Sequence, residues 1–228
     1  MLELLVRVIP LGIGAALTPS LLGLQLITTS GNPWRARAFA VAAGAAVAFG
    51  IACGALVFGF AHLPNRPDQA NAVSGILRLV AGAVLGVVAV VLFRPHPRLQ
   101  EEMDRSLTEH AAHAKTPVFF TLAFMLSIKD VSSFVLLVPA THEIAASGEG
   151  LVIELGVLLI VYALALSPVL GPPAYRLVRG DRANASMGRL YRFVMDHQLR
   201  IGGSVAAVFA LYLVISGLGP EGLGLFGR

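Results

Sequence analysis

Long apolar runs separated by short polar connections organise this chain. A bilayer core requires about 20 consecutive, mostly apolar residues of helix. By that measure the runs predict six helical spans, at about 2–29, 38–63, 72–93, 117–140, 151–170 and 201–218. Two of them carry an interruption near their middle. In the first, Leu17-Thr18-Pro19-Ser20 places a proline where a backbone hydrogen bond is needed. The missing N–H and the crowding of the preceding turn predict a kink or break near Thr18, freeing a carbonyl at membrane depth, with the hydroxyls of Thr18 and Ser20 beside it. In the fourth, Lys129 and Asp130 sit side by side in the stretch LSIKDVSS, with apolar sequence on both flanks. Neighbouring helical positions point about 100° apart, so these two do not face each other as i,i+4 residues do. Either each has a partner on another helix, or the helix breaks here.

Composition strengthens the membrane reading. The chain has 228 residues, of which 56% are hydrophobic and only 13% charged, and a mean hydropathy of +0.78. This predicts an all-α, polytopic membrane protein, a single transmembrane domain over residues 1–228. The pI near 9.7 reflects where the arginines lie and not an affinity for nucleic acid. Twelve of the 17 basic residues fall in three connections on one side: Arg35 and Arg37; Arg94, Arg98, Arg105 and Lys115; and Arg176, Arg179, Arg182, Arg189, Arg192 and Arg200. The positive-inside rule places those connections in the cytoplasm and both termini outside, with the protein in the bacterial inner membrane. The first span continues without an evident cleavage site and is expected to be retained. Cys53 is the single cysteine, so no intramolecular disulfide and no thiol-based metal cluster are expected.

Apart from Glu3 and Arg7 at the outer end of the first span, four ionisable residues fall within the predicted spans: Arg78, Lys129, Asp130 and Glu154. A charge at the bilayer centre costs roughly 3 kcal/mol on insertion scales, so such residues face a cavity or one another. By depth alone, Asp130 with Arg78 and Lys129 with Glu154 are feasible pairs, and structural ion pairing is the plain alternative to a substrate or proton site. Gly50 with Gly54, and Gly82 with Gly86, have the GxxxG spacing of closely packed membrane helices. Met187, Leu190, Tyr191 and Val194 form an apolar stripe beside Arg189 and Arg192, a pattern for a helix lying on an anionic leaflet or for one packed under the bundle. His110 and His113, with Glu109 or His96, do not complete a metal ligand set, and a solvated helix is expected there. Neither a cofactor nor an enzymatic role is expected, since the spans hold no paired carboxylates. No Walker-type loop is present either.

Gly14-Ala15-Ala16-Leu17-Thr18-Pro19, the Ser/Gly/Asn/Pro turn after it, Arg35, Arg37 and the Gly/Ala-rich second helix resemble the opening of the LysE transporter superfamily. Within it the layout is most similar to the GAP family, also called Sap, linked to export of mycobacterial peptidoglycolipids and sulfolipids. In place of the Asn-Pro-Lys-like element common in helix four of such proteins, this chain has Ile128-Lys129-Asp130. The resemblance implies two inverted three-helix repeats, at about 1–95 and 116–228, joined by a cytoplasmic loop at about 94–115. It also implies a homodimer and a proton-coupled exporter of an amphiphilic lipid. Thr18, Pro19 and Ser20 would then shape one side of a central cavity, and Lys129, Asp130, Ser132 and Ser133 the other. An exporter of a small solute and a non-transporting subunit of an envelope assembly complex are the alternatives.

Overall fold

The computed structural model describes residues 2–30, 33–61, 67–94 and 115–219. The connection carrying His96, His110 and His113 lies outside them. Nine α-helices and one 3-10 turn are formed among the described residues: α1 (Leu2–Ala16), α2 (Pro19–Ser30), α3 (Trp34–Ala61), α4 (Pro67–Phe93), α5 (Thr116–Lys129), α6 (Val131–Ala145), α7 (Leu151–Ala165), α8 (Ser167–Arg179), the turn Gly180–Arg182, and α9 (Ala183–Leu218).

Apolar side chains cover the outside as well as the inside. Phe39, Phe58, Val152 and Leu211 are among many large apolar residues left open at the surface, a pattern that water penalises and lipid does not. Trp34–Phe60, Val73–Phe93 and the helical run Ser167–Leu218 are each long and apolar enough to cross a membrane. Two further spans result when α1 with α2, bent by 59°, and α5 with α6, bent by 66°, are each counted as one. The described residues therefore hold three to five candidate spans. Six complete spans are not reached, because the predicted fifth, 151–170, is divided at Leu166. Its first part, α7, has 15 residues, about 22 Å of helix against a core of about 30 Å.

The most extensive packing joins α4 to α9 and α3 to α5, while α1 lies against α6 and α7. Gly44 makes the closest backbone approach, for a Cβ there would run into the carbonyl of Phe120 on α5. Of the expected GxxxG pairs, Gly82 meets α9, with the Ala210 carbonyl 3.1 Å from where its Cβ would be, whereas Gly54 and Gly86 face open space. The basic stretch from Met187 to Arg200 is the first part of the continuous 36-residue helix α9 and does not form a separate surface helix. Met187 is buried against Leu26, and Tyr191 packs on the same cluster, so this stripe lies under the bundle.

Proline positions explain two polar contacts in this apolar interior. Pro173 cannot donate to the Val169 carbonyl one turn earlier, and the fully buried Gln25 supplies the missing donor from α2, with Nε2 2.7 Å from that oxygen. Pro19 likewise leaves the Ala15 carbonyl without its helical partner, which positions the candidate site.

Candidate functional site

The two helix breaks meet. Asp130 occupies the junction of α5 and α6 with φ −79° and ψ 84°, outside helical geometry, and serves as the N-cap of α6. Its Oδ1 accepts from the Ser133 backbone N–H at 3.4 Å and from the Ser132 hydroxyl at 2.5 Å. An aspartate with serines two and three residues on thus ends one helix and starts the next without a proline, by offering the first turn of α6 an acceptor that competes with helical continuation. This capping also explains why Lys129 and Asp130, though adjacent, form no ion pair. Lys129 ends α5 with its side chain exposed, and makes no ion pair among the described residues.

Ser133 links the breaks. It is buried, and its Oγ lies 2.5 Å from Asp130 Oδ2 and 2.7 Å from the Ala15 carbonyl that Pro19 leaves without a partner. Thr18 Oγ1 donates to the same carbonyl at 3.3 Å, while the Thr18 carbonyl accepts from Leu22 N to start α2. Both neighbours of the Ser133 hydroxyl are acceptors when Asp130 is ionised, and a hydroxyl has one proton to donate.

A cavity of about 450 Å³ opens at this junction. Thr18, Pro19, Ser20, Lys129, Asp130 and Ser132 all line it. Ser133 is behind the lining. The other walls are mainly apolar, from Leu85, Val88 and Leu92 of α4 and from Leu199, Val205 and Ala206 of α9. Gln198 of α9 also lines it, at 4% exposure, and among the described residues neither its Nε2 nor its Oε1 has a partner. Sequence reasoning passed over Gln198, although it falls four residues after Val194 on the buried stripe. A second, smaller cavity of about 290 Å³ lies against the other side of the first break, between Leu17–Pro19 and the α7–α8 junction at Ser167 and Pro168.

The charge pairs that depth alone allows are not formed. Arg78 pairs with Glu143 at 2.9 Å and not with Asp130, and Glu154 makes no ion pair with Lys129. Glu154 instead occupies the first turn of α7, where the helix dipole favours a negative charge. The Glu143 carboxylate also accepts from the Ser74 hydroxyl and lies 3.8 Å from Arg7, which pairs with Glu3 at 2.6 Å. Depth alone could not identify Arg78's partner, because Glu143 reads in sequence as part of a polar loop and becomes interior only once α6 runs on to Ala145. Among the described residues no group of three His, Cys, Asp or Glu side chains is placed to hold a metal.

Residues 8–219 match the family model described as Sap, sulfolipid-1-addressing protein, and the chain belongs to that family. No curated protein and no solved structure matches it.

Proposed function

We propose, on the premise of Sap membership and of the cavity between the broken helices, that this protein carries an anionic, lipid-like substrate out of the cytoplasmic leaflet, with proton exchange at Asp130. The pairs α1–α2 and α5–α6 are the corresponding interrupted helices of two inverted three-helix halves, the arrangement in which transporters build sites near the bilayer midplane. Lys129 holds the anionic headgroup, and the apolar walls from α4 and α9 accommodate the adjoining chain. In a subunit with a purely structural role the intramembrane charges would be paired, but Lys129 and Glu154 make no ion pair among the described residues. A small polar solute fits the apolar walls poorly. The role is that of a carrier and not of an enzyme.

The observation that carries the coupling is the position of Ser133 between two acceptors. With Asp130 protonated, a continuous chain of hydrogen bonds ties α6 to the end of α1. With Asp130 ionised, the single Ser133 proton serves either the carboxylate or Ala15, and one link is lost. Proton release therefore loosens the contact between the two breaks, and proton uptake restores it. Lys129 nearby couples that step to an anionic ligand.

Asp130→Asn tests this directly. The amide N–H mimics the protonated carboxyl toward Ser133, so the variant is expected to fold normally and to transport nothing. Lipids are extracted from the envelope and the inner membrane of cells with the gene intact, deleted, or replaced by the Asp130→Asn or Lys129→Ala form. The expected result is one anionic lipid class depleted from the envelope in all three altered strains. Unchanged lipids in the deletion strain would refute lipid export, and normal transport by Asp130→Asn would refute the proton step.

A further inference from the structure

Two glutamines are buried in the bundle, and they are treated differently. Gln25, fully buried, donates to the carbonyls of Val169 at 2.7 Å and Ala38 at 3.3 Å, and its Oε1 accepts from Thr28 at 3.2 Å. That is a structural amide with every end occupied. Gln198 is 4% exposed, lines the cavity at the junction of the two breaks, and has a partner on neither amide atom among the described residues. Burying an amide without partners is costly, and native interiors leave few such groups unless a water or ligand completes them.

Its surroundings define what that ligand offers. The Asp130 carboxylate is engaged by Ser132 and Ser133, so it does not compete for a headgroup. Among the described residues, the cavity lining offers Lys129 on α5 as a cation, Ser20 on α2 as a hydroxyl and Gln198 on α9 as an amide, none of them engaged by another described side chain. An ammonium answers an anion. A carboxamide, with two N–H donors and a carbonyl acceptor, answers neutral groups that both donate and accept, which is the character of a hydroxyl. Resting on the carrier reading above, we propose that Gln198 is a specificity-determining contact, reading uncharged hydroxyls of the headgroup while Lys129 reads its charge.

The test uses the full-length protein in phosphatidylcholine nanodiscs and three dioleoylglycerol probes: one with a sulfonated sugar, one with an uncharged galactose, and phosphatidic acid, an anion with no sugar. Binding is measured for wild type, Gln198→Leu and Lys129→Ala, with Gln198→Met as a second variant that preserves chain length should leucine pack poorly. Loss of one neutral hydrogen-bonding partner weakens binding about fivefold. Gln198→Leu is therefore expected to weaken both sugar lipids by about that factor, to leave phosphatidic acid unchanged, and to melt no lower than wild type, since the folded protein loses no hydrogen bond. Lys129→Ala is expected to weaken the two anions and spare the galactolipid. If both Gln198 variants bind all three probes as wild type does while Lys129→Ala still loses the anions, this inference is overturned and the carrier reading stands. Equal weakening of all three probes together with a lower melting temperature makes Gln198 a structural residue and also overturns it. If wild type binds none of the probes, the carrier reading fails and this inference with it.

Discussion

Replacing Glu143 by Gln removes the charge that the buried Arg78 depends on. The Arg78 side chain is 3% exposed and that of Glu143 10%, with Nη2 and Oε1 2.9 Å apart. Two unit charges about 4 Å apart attract by on the order of 4 kcal/mol at an effective dielectric of 20. Desolvation of both groups offsets most of that, so the intact pair adds little net stability. Removing one partner is different, since it strands the other charge, at a cost of about 3–5 kcal/mol. Glutamine still accepts from Ser74, which places the expected loss near 3 kcal/mol. For a chain of this size each kcal/mol moves the melting temperature by about 2–4 °C, giving a fall of roughly 6–12 °C. Arg7 is 28% exposed and 3.8 Å from the same carboxylate, so Arg7→Gln should cost less than about 1 kcal/mol. The assay is thermal unfolding of purified wild type, Glu143→Gln, Arg78→Gln, Arg7→Gln and the Arg78/Glu143 double variant. In a coupled pair the double variant loses well short of the sum of the two singles. Additive losses, or a Glu143→Gln shift no larger than that of Arg7→Gln, would refute the reasoning.

Two further outcomes follow from the carbonyls that prolines leave without a helical donor. Ser133→Ala removes the donor to the Ala15 carbonyl, leaving only the longer Thr18 contact; a loss of about 1–3 kcal/mol is expected, read as a lower melting temperature, and Ser133→Thr, which keeps the hydroxyl, should recover part of it. Gln25→Leu deprives the Val169 carbonyl of its donor and should cost a similar amount. Adding Pro173→Ala, which restores the helical N–H, is expected to reduce that cost, and an unchanged cost in the double variant would show that Pro173 is not the reason Gln25 is needed.

Much of the candidate site's geometry was legible because its causes are local. Pro19 has no N–H whatever the fold, so a break at Thr18 followed from covalent structure. Lys129 and Asp130 could not pair along one helix, which left a break as one of two outcomes, and Asp130 produced it by capping Val131–Ala145. The partners were not legible. Depth allowed Arg78 to meet Asp130, and Lys129 to meet Glu154, but depth is one coordinate, and azimuth around each helix decides which side chains meet. Glu143 meets Arg78 because α6 packs against α4, a contact that hydropathy does not encode. The stripe Met187–Val194 fitted a membrane-surface helix or a packed one equally well, and the packing of α2 on α9 decided between them.

By itself, then, the order of residues determined the solvent and the first interruption: apolar runs too long for water to tolerate, and a proline that ends a helix because it has no N–H, while the break at Asp130 stayed one of two outcomes until its carboxylate was seen to cap α6. Only the tertiary structure decided what the interruptions meet. The Ala15 carbonyl and the Ser133 hydroxyl are 118 residues apart in the chain and 2.7 Å apart in space. Whether a freed carbonyl finds a donor, a buried arginine finds a carboxylate, or a buried amide finds nothing depends on how helices are set side by side. The shape complementarity of whole faces controls that placement, and no local pattern carries it.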